Sequence, residues 1–222
     1  MDEDALFKLL KRQTKATLLE LLQLTYHETN TQQRRYIFGD LMKAPKKPSK
    51  NLAQDIVKES EQFYKDSLAG VYYAPFNINS KNFSYIPEET EEWFEKIGDL
   101  LKSSTQLTKQ KEHTSAVESF KILYDLIAKM EYGEEIIFAD EYGSWMISGN
   151  EQEFLDAYIL SLSEVKTPEE YTEIVIPLIE RDSYSSFCNK VHSLALKHSS
   201  KEQEKSLMQA IKEQNIKIKS SR

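Results

Sequence analysis

Between Ala116 and Ile127 the residues Ala116, Val117, Phe120, Leu123, Tyr124 and Ile127 recur at spacings of three and four. That is the period of one face of an α-helix. A strand, whose side chains alternate every residue, cannot gather them on one side. The same spacing returns along most of the chain. Leu6, Leu9 and Leu10 mark a short first helix, and Leu18, Leu21, Leu22 with Thr25 or Tyr26 mark a second that Thr14 is placed to cap. Thr31 opens a third segment, closed by Gly39. A long helix is expected from about Leu52 to Tyr72 through Ile56, Phe63 and Val71. Pro87 then stands as a first helical residue before Glu88, Glu89, Glu91 and Glu92, acids suited to a helix's positive end, with Trp93, Ile97, Leu100 and Leu101 as the buried stripe.

Later helices carry sharper start signals. Phe154, Ala157, Tyr158 and Leu162 define one helix. Thr167-Pro168-Glu169-Glu170 is a capping box with proline at the first helical position, leading through Tyr171, Ile174, Val175 and Leu178. Pro177 in its interior predicts a kink. Phe187, Val191 and Leu194 form another helix. Ser200 and Gln203 form a second capping box, before a terminal helix through Leu207, Met208 and Ile211.

Punctuation is sparse: six Gly and six Pro in 222 residues. An all-β chain needs a turn roughly every 8–12 residues, so the scarcity also favours helices. The expected fold is all-α, with eight to ten helices stacked as antiparallel hairpins, either α-solenoid-like or an irregular bundle. Ala116-x3-Phe120 matches one fragment of the tetratricopeptide pattern, but the Trp, Leu-Gly and Tyr positions that should precede it are absent, so no repeat family is assigned. The Pro/Lys-rich run "KAPKKPSK" (43–50) reads as a linker between an N-terminal helical cap, 1–42, and a main helical domain, 51–222. Residues 73–87, "YAPFNINSKNFSYIP", read as an ordered loop whose aromatics pack back on the helices, with a small hairpin as the alternative.

With 40% hydrophobic residues, the chain can build a core. Its one cysteine, Cys188, excludes an internal disulfide. The acidic start "MDEDALFKLLKRQ" lacks the order of a signal peptide, and no run approaches the 18 or so apolar residues of a membrane span. A cytoplasmic setting with no membrane contact is expected. The net charge of −7 is uneven: +4 over 1–50, −5 over 51–103, −9 over 104–200 and +3 over 201–222. Basic ends around an acidic middle argue against a broad nucleic-acid surface and permit head-to-tail contact between copies.

Candidate chemistry is thin. Cys188 and His192 stand four apart on one helix face, yet catalysis or metal binding needs further ligands or an orienting carboxylate, and a buried hydrophobic cysteine explains the pattern. His27 sits with Glu28 near a helix C-terminus, while His113 and His198 are expected to be solvated. No HExxH, GxGxxG, GxxxxGK[ST] or GxSxG occurs. Glu88–Glu95, "EETEEWFE", reads as a solvated helix start. Arg34 and Arg35 in "QQRRYIF", with Lys46 and Lys47 beyond them, form a basic cluster able to meet carboxylates or phosphates.

The stretch "GEEIIFADEYGSW" (133–145) reads as a helix after a Gly133 break, with Phe138, Tyr142 and Trp145 as its packing stripe. Asp140 and Glu141 would then lie on an acidic outer face. These features favour a non-enzymatic protein-interaction or scaffold module, acting on a protein partner or on itself through Arg34, Arg35, Asp140 and Glu141. No cofactor, metal or small-molecule substrate is predicted. The alternatives are a nucleic-acid accessory protein using the basic N-terminal patch and an enzyme with an acidic or Cys/His site.

Overall fold

The computed structural model describes residues 3–29, 37, 52–138, 143–181 and 187–218. Among them are nine α-helices and no strand: α1 (Glu3–Leu10), α2 (Lys15–Glu28), α3 (Leu52–Leu68), α4 (Glu88–Lys109), α5 (His113–Glu131), α6 (Glu151–Val165), α7 (Pro168–Glu180), α8 (Phe187–His198) and α9 (Lys201–Glu213). The chain is all-α, as its periodicity predicts. It divides into two compact units, Met1–Lys47 and Pro48–Arg222. The expected third helical segment and the 43–50 linker lie outside the described residues.

The first unit holds α1 and α2. Thr14 caps α2 by accepting a hydrogen bond from the Thr17 N–H at 3.2 Å. The expected stripe is not buried, for Leu21, Leu22 and Tyr26 are all exposed. Leu19 and Leu24 are exposed too, so apolar residues spread around α2 beyond what one neighbouring helix could cover.

The second unit begins as a three-helix cluster. α3 and α4 each pack along α5, and three serines meet where they converge. Ser119 Oγ of α5 lies 2.8 Å from Ser60 Oγ of α3 and 2.7 Å from Ser104 Oγ of α4. The outer two hydroxyls also donate to their own helix, Ser60 to the Ile56 carbonyl and Ser104 to the Leu100 carbonyl. Around this polar pin the expected stripes are buried: Trp93, Ile97, Leu100 and Leu101 on α4, and all six residues from Ala116 to Ile127 on α5. Trp93 donates its indole N–H to Ser67 Oγ at 3.0 Å, and Lys96 pairs with Glu59 across α3 and α4.

Helix ends repeat one device. After α5 the Gly133 N–H bonds the Met130 carbonyl and the Glu134 N–H reaches Lys129, with Gly133 at φ +81°. This is the Schellman arrangement, which needs a left-handed residue. Asn215 plays that part after α9 at φ +53°, and Lys111 after α4 at φ +65°. Pro87 stands one position earlier than expected, as the N-cap of α4.

The later helices extend the stack by skipping neighbours. α4 packs on α6 and α6 on α8, while α7 packs on α9 and on α8. Both capping boxes form as predicted, Thr167 with Glu170 and Ser200 with Gln203. Gln203 does more than cap. Almost fully buried, it donates Nε2 to the carbonyls of Ser163 and Lys166, fastening α9 to the α6–α7 connection. Tyr171 of α7 donates its hydroxyl to the Ala195 carbonyl of α8 at 3.0 Å.

Several expectations need correction. α3 ends at Leu68, so Tyr72 lies beyond it and Val71 is exposed. Met208 is exposed on α9 while Leu207 and Ile211 are buried. Residues 73–87 form turns and extended loop without strands, and only part of their aromatics pack: Phe76 meets Tyr85 and Phe138, whereas Phe83 is 70% exposed. "GEEIIFADEYGSW" is not a helix where described. Glu135–Phe138 turn, and Ser144–Met146 form a single 3-10 turn. Ile136 and Ile137 are consecutive buried plugs, Phe138 offers its carbonyl to Thr90 Oγ1 at 2.7 Å, and Trp145 is 74% exposed. Consecutive burial follows a loop's contacts, not a helical face.

Candidate functional site

Arg34, Arg35, Asp140 and Glu141 lie outside the described residues, as do Lys46 and Lys47. The Cys188 side chain does too, although its backbone belongs to α8. His192, one turn on, is half-buried with Nε2 buried and without a hydrogen-bond partner among the described residues, and burial lowers its pKa. The other two described histidines are engaged, contrary to expectation. His198 Nε2 lies 2.9 Å from Asp156, which Lys197 also reaches at 2.7 Å. Burial works to raise the Asp156 pKa, but the hydrogen bonds and charges of Lys197 and His198 outweigh it and hold the carboxyl below its ordinary value. His113 Nδ1 lies 3.1 Å from Ser161 Oγ, which contacts Thr108 Oγ1 at 2.8 Å. Ser161 is fully buried, and this chain of contacts ties α4 and α5 to α6. Among the described residues no group of three or more His, Cys, Asp or Glu side chains gathers to hold a metal. No helix among them is long and apolar enough to cross a membrane.

A site emerges where the stack is interrupted. α3 packs on α5 and α7 on α9, but α5 and α7 do not pack along their lengths. Between them runs a groove of about 1000 Å³. Its apolar lining comes from Ile122 and Ala128 of α5 and from Ile174, Pro177 and Leu178 of α7. Tyr124 and Tyr158 form the floor, their rings stacked with centroids 5.5 Å apart and planes 10° from parallel. Tyr132 stands at the side, 83% exposed. Charges stand along the groove: Glu61, Glu118, Asp125 and Glu173 against Lys65, Lys121 and Arg181. Arg181 is already committed, its Nε and Nη2 donating to Glu131 Oε2 at 2.8 and 2.7 Å, so that ion pair clasps the ends of α5 and α7. Asp125 accepts the Tyr64 hydroxyl at 2.7 Å. The remaining rim is acidic.

One polar group in the lining has no answer among the described residues. The Tyr124 hydroxyl is buried and has no hydrogen-bond partner among them. Burial also raises its pKa far above the usual phenol value, so the group stays neutral. An unsatisfied buried polar group costs about 1–3 kcal/mol. Nearby, Pro177 inside α7 has no N–H to return to the Glu173 carbonyl four residues back. The sequence carried one signal of this place, the interior Pro177. Tyr124 and Tyr158 were legible only as core stripe residues.

No protein-family model, curated protein or solved structure matches this chain.

Proposed function

We propose that the chain is a non-enzymatic protein-interaction module whose second unit receives a helical segment of a partner in the groove between α5 and α7. The observation that carries this reading is the interruption of the stack over Tyr124 and Tyr158. An α-helix with side chains is about 10–12 Å across, and an open groove of about 1000 Å³ has room to seat one face of such a helix. Apolar walls with a few polar groups of fixed position are how helix-in-groove recognition obtains affinity and orientation. The acidic rim favours a segment with basic flanks.

The test is site-specific photo-crosslinking in the source cell. A crosslinking residue replaces Ile122 or Tyr132 in the lining, or Met208 on α9 as a control outside it. A partner trapped from both groove positions and absent from the control supports the reading. Equal yields from all three positions would contradict it.

A further inference from the structure

We infer that the groove's occupant is a second copy of this chain, entering through its α1. This rests on the reading of the groove as a helix site and adds the identity of the helix. α1 spans eight residues, which is two turns and a little more. Its apolar side chains remain partly in solvent: Leu6 is 37%, Phe7 53% and Leu9 58% exposed. Leu6, Phe7 and Leu10 lie within one arc of the helix because they stand at i, i+1 and i+4, while Lys8 points to the opposite side. α1 thus offers a short amphipathic face to a partner.

Charge runs the same way. α1 begins with Glu3 and Asp4 and leaves through Lys8, Lys11 and Arg12. The groove presents Glu61, Glu118, Asp125 and Glu173 with only Lys65 and Lys121 uncommitted to a partner across it, since Arg181 is held by Glu131. A basic-ended helix meets a surplus of carboxylates. Such a contact joins different surfaces on the two copies, so it is heterologous, and it propagates unless a ring closes.

Complementary variants of the full-length chain test this. Phe7→Glu spoils the α1 face and leaves the groove whole. Ile122→Arg spoils the groove and leaves α1 whole, and Tyr132→Glu, at a residue already in solvent, is a second groove variant that avoids the core. Circular dichroism and thermal melting confirm that each variant is folded. Sedimentation velocity across a concentration series should then show wild-type mass rising with concentration, each single variant remaining monomeric, and a one-to-one mixture of Phe7→Glu with a groove variant giving a dimer that grows no further. Raising the salt concentration should weaken wild-type assembly, as expected for exposed charge pairs. A wild-type chain that stays monomeric overturns the inference, and so do single variants that assemble like wild type or a mixture that fails to pair. A monomeric wild type whose groove still crosslinks to another protein removes the second copy as occupant and leaves the groove reading standing.

Discussion

Tyr124 and Tyr158 lie face to face across α5 and α6, and of the two hydroxyls it is Tyr124's that is buried without a partner among the described residues. The ring stack and the orphaned oxygen are separable. Tyr124→Phe keeps the ring and its packing while deleting the group left unsatisfied. The free chain is expected to gain about 1 kcal/mol in chemical denaturation. A destabilised Tyr124→Phe protein would show that the hydroxyl is answered within the fold.

Lys111 is the one described helix-ending residue of its kind that is neither Gly nor Asn, at φ +65°. A side chain in that conformation crowds the following carbonyl, a strain of about 1–2 kcal/mol. Lys111→Gly is expected to stabilise the chain by up to about 1 kcal/mol, because glycine's larger unfolded-state entropy returns part of the gain. The corresponding rise in midpoint is roughly 2–4 °C for a protein of this size, readable by thermal melting.

Gly98 lies fully inside α4, where a Cβ would stand 2.4 Å from Ser148 Oγ and 2.6 Å from the Ser148 carbonyl oxygen. Gly98→Ala is expected to cost roughly 1–3 kcal/mol as an overpacked contact. Adding Ser148→Gly should recover little, since the backbone oxygen remains in place. Full recovery in the double variant would show that the hydroxyl alone sets the approach.

Stability should fall with acidity in two steps. His192 has its folded-state pKa lowered by burial, so the unfolded chain binds the proton more readily. Stability is therefore full above the unfolded value near 6.5 and declines as the pH falls below it. His192→Phe should flatten that step in urea titrations between about pH 7 and 5. The second step belongs to Asp156, whose folded pKa is lowered on balance, burial opposing and Lys197 and His198 prevailing. Its contribution is present above the unfolded value of about 3.9 and is lost as pH drops through the lower folded value. Asp156→Asn should remove this step and leave the His192 step intact.

What the sequence revealed depended on whether burial followed a helical face. The stripe from Ala116 to Ile127 was readable because all six side chains enter one core, and the caps at Thr167 and Ser200 because their chemistry is local. "GEEIIFADEYGSW" misled because its apolar residues serve a loop, where Ile136 and Ile137 are both buried regardless of period. His113 and His198 misled because their partners, Ser161 and Asp156, are more than forty positions away along the chain. The groove was hidden for a related reason. It is made where α5 and α7 do not pack along their lengths, and the lack of a packed seam has no signature in the sequence of either.

The Glu131–Arg181 clasp has a mechanical consequence. α5 and α7 are joined there at their ends, and elsewhere they are coupled through α6. The width of the groove is thus a soft coordinate, with α6 as its hinge and one ion pair as its latch. Removing the latch by Arg181→Met should leave amide exchange in α4 and α6 nearly unchanged and speed it in α7, giving a protein equally folded but more readily opened.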